Sequence, residues 1–363
     1  MPALSNQNQR MSGMHRNTSD VLDSIKTCKL LYNSPAQNES AVILLRSRLQ
    51  SVSQRMGYSE SARNNMMLVA SELVTNQIKY AKGSGMIQIW QQPGPCLDIL
   101  ALDYGPGIAN LALALEDGFS TSRTLGKGMG SIQRLSDETA IYTQAQNPNL
   151  PKWSGTAVMA RFHRHPKKKP LPLNIGLFSR SLSDARYNGD RVYLLQAGDQ
   201  FRWLHLDGLG HGEIAQETTS GLAAHLAHSD CPATAIAAVD QHLHGSRGAV
   251  AIAGEINLAR RSIEFLGVGD MHAHVFAKEE MNNVAFAPGV LGREHKAPSL
   301  FRASFEHTGV VVTASDGIRR NWENSNFPGL FHQHPQLIAY VLGNIMGRIS
   351  DDQSLCVVGI NKQ

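Results

Sequence analysis

The run Ala70-Ser-Glu-Leu-Val-Thr-Asn-Gln-Ile-Lys-Tyr-Ala81 sets a carboxylate and a carboxamide, Glu72 and Asn76, four residues apart. Apolar spacing from Ser61 to Ala81 predicts a helix, and on a helix residues i and i+4 share a face. An Asn beside a triphosphate can hold magnesium through its amide oxygen, because that hard cation takes oxygen ligands. A carboxylate one turn earlier can orient or deprotonate an attacking hydroxyl. Downstream, Asp103-Tyr-Gly-Pro-Gly107 follows a β-like run from Leu97 to Leu102. There Asp103 can accept a hydrogen bond from an exocyclic amine, while Gly105 and Gly107 let backbone pass close to a ligand. Then comes Gly126-Lys-Gly-Met-Gly130. Gly126, Gly128 and Gly130 can bend freely and lead into a helix whose first N–H groups favour phosphate, with Lys127 as an added point charge. Singly these boxes are commonplace, since a Glu/Asn pair is commonly a solvated face and a glycine run a plain turn. Their order and spacing make the case.

Around these boxes, Ala41 to Met56 reads as a second helix, and Met86 to Trp90 and Thr156 to Phe162 as strands. The expectation for residues 21–164 is an α+β unit with helices on one face of a sheet. The three boxes in this order resemble the Bergerat-type ATP-binding α/β sandwich of the GHKL superfamily, nearest to RsbT-type serine/threonine switch kinases and related anti-sigma factors. The resemblance implies ATP and Mg2+ as cofactors. It implies Asn76 as the magnesium ligand, Glu72 as base, Asp103 on adenine and Gly126 to Gly130 as the phosphate lid.

A basic, proline-bearing stretch, His163-Arg-His-Pro-Lys-Lys-Lys-Pro170, reads as a solvated linker over 165–172, without the interleaved aromatics of a nucleic-acid surface. Its character predicts two units whose sites act independently. Residues 173–363 then show strands at Val192 to Gln196, Phe201 to Leu206, Ala249 to Ile256, Ser262 to Val268, Val310 to Ala314 and Ser354 to Ile360. Helical stretches lie at Glu213 to His228, Ala233 to Leu243 and Pro335 to Arg348. Many strands with helices grouped between them predict two packed sheets flanked by helices.

In this second unit Asp190, Asp207, Asp316 and Asp351 all stand where a strand meets a loop. Two divalent cations held there could share a water, acidify it and neutralise a phosphoryl group, and an all-oxygen set favours magnesium or manganese over zinc. An Asp-Gly pair alone is ordinary turn punctuation. The series Gly-Asp, Asp207-Gly-Leu-Gly-His-Gly212, Ser315-Asp-Gly-Ile318 and Asp-Asp-x-Ser resembles PPM-type metal-dependent protein phosphatases, in the SpoIIE branch near RsbX. That resemblance implies an αββα sandwich. It also implies Asp190, Asp207 and Gly208 on one Mn2+ or Mg2+, and Asp207, Asp316 and Asp351 on the other, with Asp207 central to catalysis. Preferring Asp351 to Asp352 rests on motif alignment alone. Many relatives carry a histidine directly after Asp-Gly; here Leu209 stands there and His211 follows. Arg186 and Arg191 read as exposed surface residues, Asp270 as a turn carboxylate, and His272 and His274 as ordinary surface or core residues.

The whole chain of 363 residues is 42% hydrophobic with a formal net charge of +4, an ordinary globular composition. Four scattered cysteines show no CxxC spacing, as expected of thiols in a reducing cytoplasm. Residues 1–20 are polar and expected to be disordered. No apolar run approaches the roughly 20 residues needed to cross a bilayer, so a cytoplasmic protein without membrane or nucleic-acid partners is expected. The two resemblances together imply a kinase fused to a phosphatase acting on STAS-domain proteins in a partner-switching pathway, with a sigma-pathway regulator as a further partner. The alternative is an ATP-binding anti-sigma or sensor module that regulates the phosphatase.

Overall fold

The computed structural model describes residues 21–115, 128–147, 153–165, 173–305 and 309–360. The expected disordered N-terminus, most of the linker, and Gly126 and Lys127 lie outside the described residues.

The chain opens with β1 (Leu22–Asp23) and a single helical turn, α1 (Ser24–Thr27). An antiparallel sheet of order β2-β3-β4-β6-β5 follows, built from β2 (Lys29–Pro35), β3 (Gly85–Gln92), β4 (Cys96–Asp103), β5 (Glu138–Gln144) and β6 (Gly155–His163). Its helices are α2 (Ser40–Arg55), α3 (Glu60–Tyr80), α4 (Leu111–Leu115) and α5 (Gly128–Leu135). Ser59 caps α3 by accepting a 3.2 Å hydrogen bond from Ala62 N, and Glu60 adds an acidic first turn. One face of α3, through Met66, Ala70, Leu73 and Val74, packs with Leu45, Leu49 and Val52 of α2 on Ile87, Ile99 and Ile141 of the sheet.

The second unit pairs two antiparallel sheets. Its strands are β7 (Leu173–Arg180), β8 (Asp190–Ala197), β9 (Gln200–Gly208), β10 (Ala249–Asn257), β11 (Ser262–Val268), β12 (His272–Ala277), β13 (Glu280–Val284), β14 (Phe301–Ser304), β15 (Gly309–Ala314) and β16 (Gln353–Ile360). They form sheets of order β1-β8-β9-β10-β11-β14 and β13-β12-β15-β16-β7. Helices α6 (Glu213–Thr219), α7 (Ala223–His228) and α8 (Pro232–Leu243) cover the outer face of the first sheet, while α9 (Pro335–Met346) covers the second. The helix expected from Glu213 to His228 is therefore two helices, because the chain turns extended at Ser220, the C-cap of α6.

Helix α9 also packs on the first unit. Every residue from Pro335 to Gly343 is buried, the signature of a helix with a layer on each side. One side meets Phe178 and Leu177 of β7, and the other meets Trp90, Met159 and Tyr142 of the β2–β6 sheet, all in one continuous core. The Trp90 ring lies 5.1 Å from Phe178 and 5.4 Å from Tyr340. Polar side chains stitch the same seam. Tyr340 donates to Asp98 Oδ2 at 2.8 Å, Gln92 Nε2 donates to Tyr340 Oη at 2.9 Å, and Gln88 Nε2 donates to Asn344 Oδ1 at 2.8 Å. Arg161 closes on Asp98 with two 2.7 Å bonds, so the buried carboxylate is fully paired.

Two expectations change here. The units are not independent bodies on a linker, because α9 is a layer common to both. Residues 22–28 do not belong wholly to the first unit: Leu22 and Asp23 pair with Leu194 and Tyr193 of β8. A two-residue strand is fixed by its partner, not by its own pattern. Arg191 follows from this. It is buried, 3.0 Å from Asp23 Oδ2, and not the exposed residue expected.

Candidate functional sites

The nucleotide-type site lies where α3, the end of β4 and the start of α5 meet. Glu72 and Asn76 are half-buried one turn apart on α3, and Asn76 Nδ2 lies 3.9 Å from Met129 Sδ in the first turn of α5. The glycine run, of which Gly128 and Gly130 are described, thus enters its helix beside Asn76. Asp103 is buried at the end of β4 and accepts from Gly105 N at 2.9 Å and Thr156 N at 3.1 Å, both on Oδ1. Burial raises its pKa, and these two amide bonds oppose the rise. Gly107 has φ +72, and a Cβ there would stand 2.3 Å from the Gln144 carbonyl oxygen, so only glycine fits. Trp153 and Thr143 hold the same loop, through bonds of 3.1 Å to Asp103 O and 2.7 Å from Ile108 N. Neither is visible as a site residue in the sequence, because each is an ordinary residue of a loop or strand.

The second site is a convergence of carboxylates at one end of the two-sheet sandwich. Asp190 and Asp207 face each other in register across β8 and β9. Asp316 follows β15, and Asp351 precedes β16. Asp207 lies within electrostatic reach of Asp190, Asp316, Asp351 and Asp270, and its pKa is raised well above the usual range by burial and these neighbours. Burial foremost pushes Asp190 up to about 7 and Asp316 up to about 6. A Cβ on Gly317 would overlap the Asp352 carbonyl at 1.8 Å, so the Asp316 turn is pressed against the 351–352 loop. Of that pair, Asp352 is occupied, accepting from Leu182 N and Gly189 N at 2.7 Å each. Asp351 is within electrostatic reach of Asp207 and Asp316, and Asp352 of Asp190.

Asp270 was read as a turn carboxylate and is a member of the cluster. It shares a side-chain hydrogen bond with Asp316 and raises the pKa of Asp207. The sequence signal, Gly267-Val-Gly-Asp270 after a strand, is the same strand-end placement that singled out the others. His205, Ser315 and Ser354 join the site without a sequence signal, and Ser315, which accepts from Ser354 N at 3.0 Å, also bonds the Asp190 carboxylate. Ser354 Oγ donates to Asp190 Oδ2 at 2.7 Å, so it must accept from His205 Nε2 at 2.7 Å when Asp190 is ionised. Thr313 then donates to His205 Nδ1 at 2.9 Å, and burial holds the imidazole neutral with its pKa lowered to about 3. His211 is exposed near Asp351, whereas Arg186 lies over the Tyr187 ring.

In ligand type, an all-oxygen set, the carboxylates suit hard divalent cations. Asp190 Oδ1 is buried without a hydrogen-bond partner among the described residues, and the like-charged carboxylates lie within electrostatic reach of one another, with the exposed Arg348 acting on Asp316 and Asp351. Among the described residues no three or more Asp, Glu, His or Cys side chains stand together in metal-holding geometry, so the carboxylates are electrostatic neighbours and not a closed ligand set.

With the geometry laid out, the first unit has a class. The family profile described as histidine kinase-like ATPase domain matches residues 34–159. Over 106 residues the chain is 34% identical to the serine/threonine-protein kinase RsbT of Bacillus subtilis (strain 168), spanning 29% of this chain and 80% of RsbT. Through this unit the chain belongs to the RsbT family. Solved structures similar to the chain include RsbX in complex with magnesium, at 18% identity and TM-score 0.48, covering 53% of this chain and 98% of that one. A SpoIIE fragment from Bacillus subtilis carrying its PP2C phosphatase domain is 16% identical, with TM-score 0.44, covering 89% of this chain and 96% of that one.

Proposed function

We propose that the chain is a bifunctional regulator: an ATP-dependent serine/threonine kinase in its first unit and a metal-dependent phosphoserine/phosphothreonine phosphatase in its second. The substrate class is a STAS-domain protein of a partner-switching pathway. The observation that carries the phosphatase half is the convergence of Asp190, Asp207, Asp270, Asp316 and Asp351, with Asp190 Oδ1 left unpaired in the interior. Two divalent cations, when bound, supply an acidified water and neutralise charge on the phosphoryl oxygens. The chain's own residues hold the geometry. Asp207 would help to hold both cations, Gly208 would offer its backbone oxygen, and His205 and Ser354 fix Asp190. Leu209 stands where relatives place a histidine, so His211 is the available proton donor to the leaving oxygen.

For the kinase half, Asn76 would hold Mg2+, Asp103 would accept the adenine amine, and Gly105, Gly107 and the Gly126-Lys127-Gly128-Met129-Gly130 run would seat the phosphates. Glu72 takes the hydroxyl proton of the substrate. RsbT family membership supports this half. A second reading has the first unit as a nucleotide sensor that gates the phosphatase. The α9 layer common to both units favours it, since nucleotide-dependent movement of the first sheet would reach α9 directly.

Single-turnover incubation with γ-labelled ATP and a STAS-domain protein separates these readings. Label on a Ser or Thr of the partner supports the kinase. Bound ATP with no transfer, and a phosphatase rate that changes with nucleotide, supports the sensor.

A further inference from the structure

Asp190 stands between Gly189 and Arg191, and both neighbours are tied into one path of hydrogen bonds that starts on β1. Asp23 Oδ2 accepts from Arg191 Nη1 at 3.0 Å, while Arg191 Nε is buried with no hydrogen-bond partner among the described residues. Asp23 is therefore the carboxylate that neutralises a guanidinium only 5% exposed. The same Nη1 donates to Tyr193 Oη at 3.4 Å, and Tyr193 donates in turn to Thr219 O at 2.9 Å. Thr219 Oγ1 then donates to Gly189 O at 2.9 Å, an oxygen that also accepts from Gly208 N at 3.2 Å. Beside this path, Ser24 Oγ accepts from Val192 N at 2.9 Å. Side chains alternate along β8. Arg191 and Tyr193 thus lie on the face covered by α6 to α8, while Asp190 faces Ser354 of the other sheet. Without β1, β8 would be the edge strand of its sheet.

We infer that Asp23 is a positioning residue for Asp190: β1 and α1 form a strap that sets the backbone on both sides of the carboxylate and so the cation affinity of the cluster. This rests on the phosphatase reading of that cluster. A ligand must be held to within about half an ångström by the shell behind it, and here that shell begins outside the second unit. If Asp23 loses its charge, a buried guanidinium is left unpaired, and relief comes from moving Arg191 towards water. Asp190 is the next residue and moves with it. The strap runs directly into β2, the edge strand of the nucleotide-type sheet, where Lys29 pairs with Gln91 of β3. Cation binding in the second unit therefore depends on a segment continuous with the first.

The test uses the full chain and two variants that break the path at different points, Asp23→Asn and Tyr193→Phe. Ser59→Ala, which removes the α3 cap, serves as a destabilised control. Calorimetric titration with Mn2+ is run below the unfolding onset of each. Both path variants should bind Mn2+ about 10-fold more weakly than wild type, the lower end of what losing an outer-shell partner costs, and Ser59→Ala should match wild type. The double variant should lose less than the product of the singles, because both act on one path. A purely structural role would lower the unfolding temperature of Asp23→Asn and leave its Mn2+ affinity at that of Ser59→Ala. Unchanged affinity in Tyr193→Phe, or in folded Asp23→Asn, overturns the inference; if Asp23→Asn does not fold, Tyr193→Phe decides. Hydrogen exchange of the amides of residues 189–192 in EDTA reads the strap without a cation. Faster exchange there in the path variants, with no Mn2+ bound even by wild type, would count against the phosphatase reading and leave the strap as the support of Asp190. Exchange unchanged from wild type overturns the strap whatever the cation does.

Discussion

Asp190 is a buried carboxylate bonded from the opposing sheet. One oxygen accepts from Ser354 while the other is buried without a partner, and His205 fixes Ser354 from the facing sheet. His205→Leu should remove that support without touching a cation. Manganese affinity should fall about 10- to 100-fold, as when an outer-shell partner of a ligand is lost. Isothermal titration with Mn2+ reads this directly, and unchanged affinity would remove His205 from the account. The same carboxylate makes a pH prediction. Its folded-state pKa is raised from 3.8 to about 7, so in metal-free protein it binds a proton more strongly folded than unfolded. Its stabilising contribution is then complete below about pH 4 and is lost as pH rises towards about 7. Buried His205 and His272, with lowered pKa values, pull the other way over part of that range. The difference between Asp190→Asn and wild type isolates the carboxylate. In EDTA the variant should gain stability relative to wild type as pH rises from 5 to 8, read by thermal unfolding. A constant gap would contradict a pKa raised by the burial of that carboxylate.

At the scale of elements, the nucleotide-type site depends on the loop after β4 as much as on α3. Gly107→Ala forces a side chain into φ +72 and against Gln144, a cost of about 1–3 kcal/mol that falls on the loop holding Asp103. We expect weakened Mg-ATP binding by calorimetry, together with a lower thermal midpoint. Asn76→Ala should remove magnesium-dependent binding with the midpoint nearly unchanged, since Asn76 is half-buried and its described hydrogen bond is a long one to sulfur. The pair of variants distinguishes a cation ligand from a loop support.

The elements also show how far the sequence could be read. Helix α3 and strands β3, β4 and β6 were legible because one face of each is apolar at the right period. Strand β12 was not, because His272 and His274 occupy positions where a polar letter usually marks solvent. Here both are buried, with the Trp322 ring centroid 3.8 Å from that of His274. Four carboxylates of the cluster were legible from strand-end position. Asp270 had the same signal but looked like any Gly-Asp turn, and the difference lies in which strand ends meet in space. His205 offered no signal, since a histidine inside a strand says nothing of what lies on the opposing sheet. Helix α9 was legible as a helical stretch from Pro335 to Arg348. That the second layer would be the sheet of the other unit could not be read from periodicity.

At the scale of the whole molecule, the common α9 layer predicts a single cooperative unfolding transition for the two units, with neither sheet retaining its packing once α9 leaves. Tyr340→Phe removes the hydroxyl that joins Asp98 and Gln92 across the seam and should lower stability of the whole chain by about 1–3 kcal/mol. Calorimetry should show one peak moving down. Two separated peaks in the wild type would mean that α9 does not bind the units into one body.

The central claim is that one chain both adds and removes a phosphoryl group, and on the same residue of a STAS-type partner. Two activities in one body raise each other's effective concentration for a shared substrate, which makes a common target residue the expected outcome. The direct measurement is phosphosite mapping by mass spectrometry. The partner is first incubated with the Asp207→Ala variant and ATP, then with the Asn76→Ala variant, manganese and no ATP. The account predicts that a Ser or Thr becomes fully phosphorylated in the first step and is cleared in the second. Failure of the Asp207→Ala variant to label the partner, or a label that persists while the Asn76→Ala variant releases phosphate from another phosphoprotein, would contradict it.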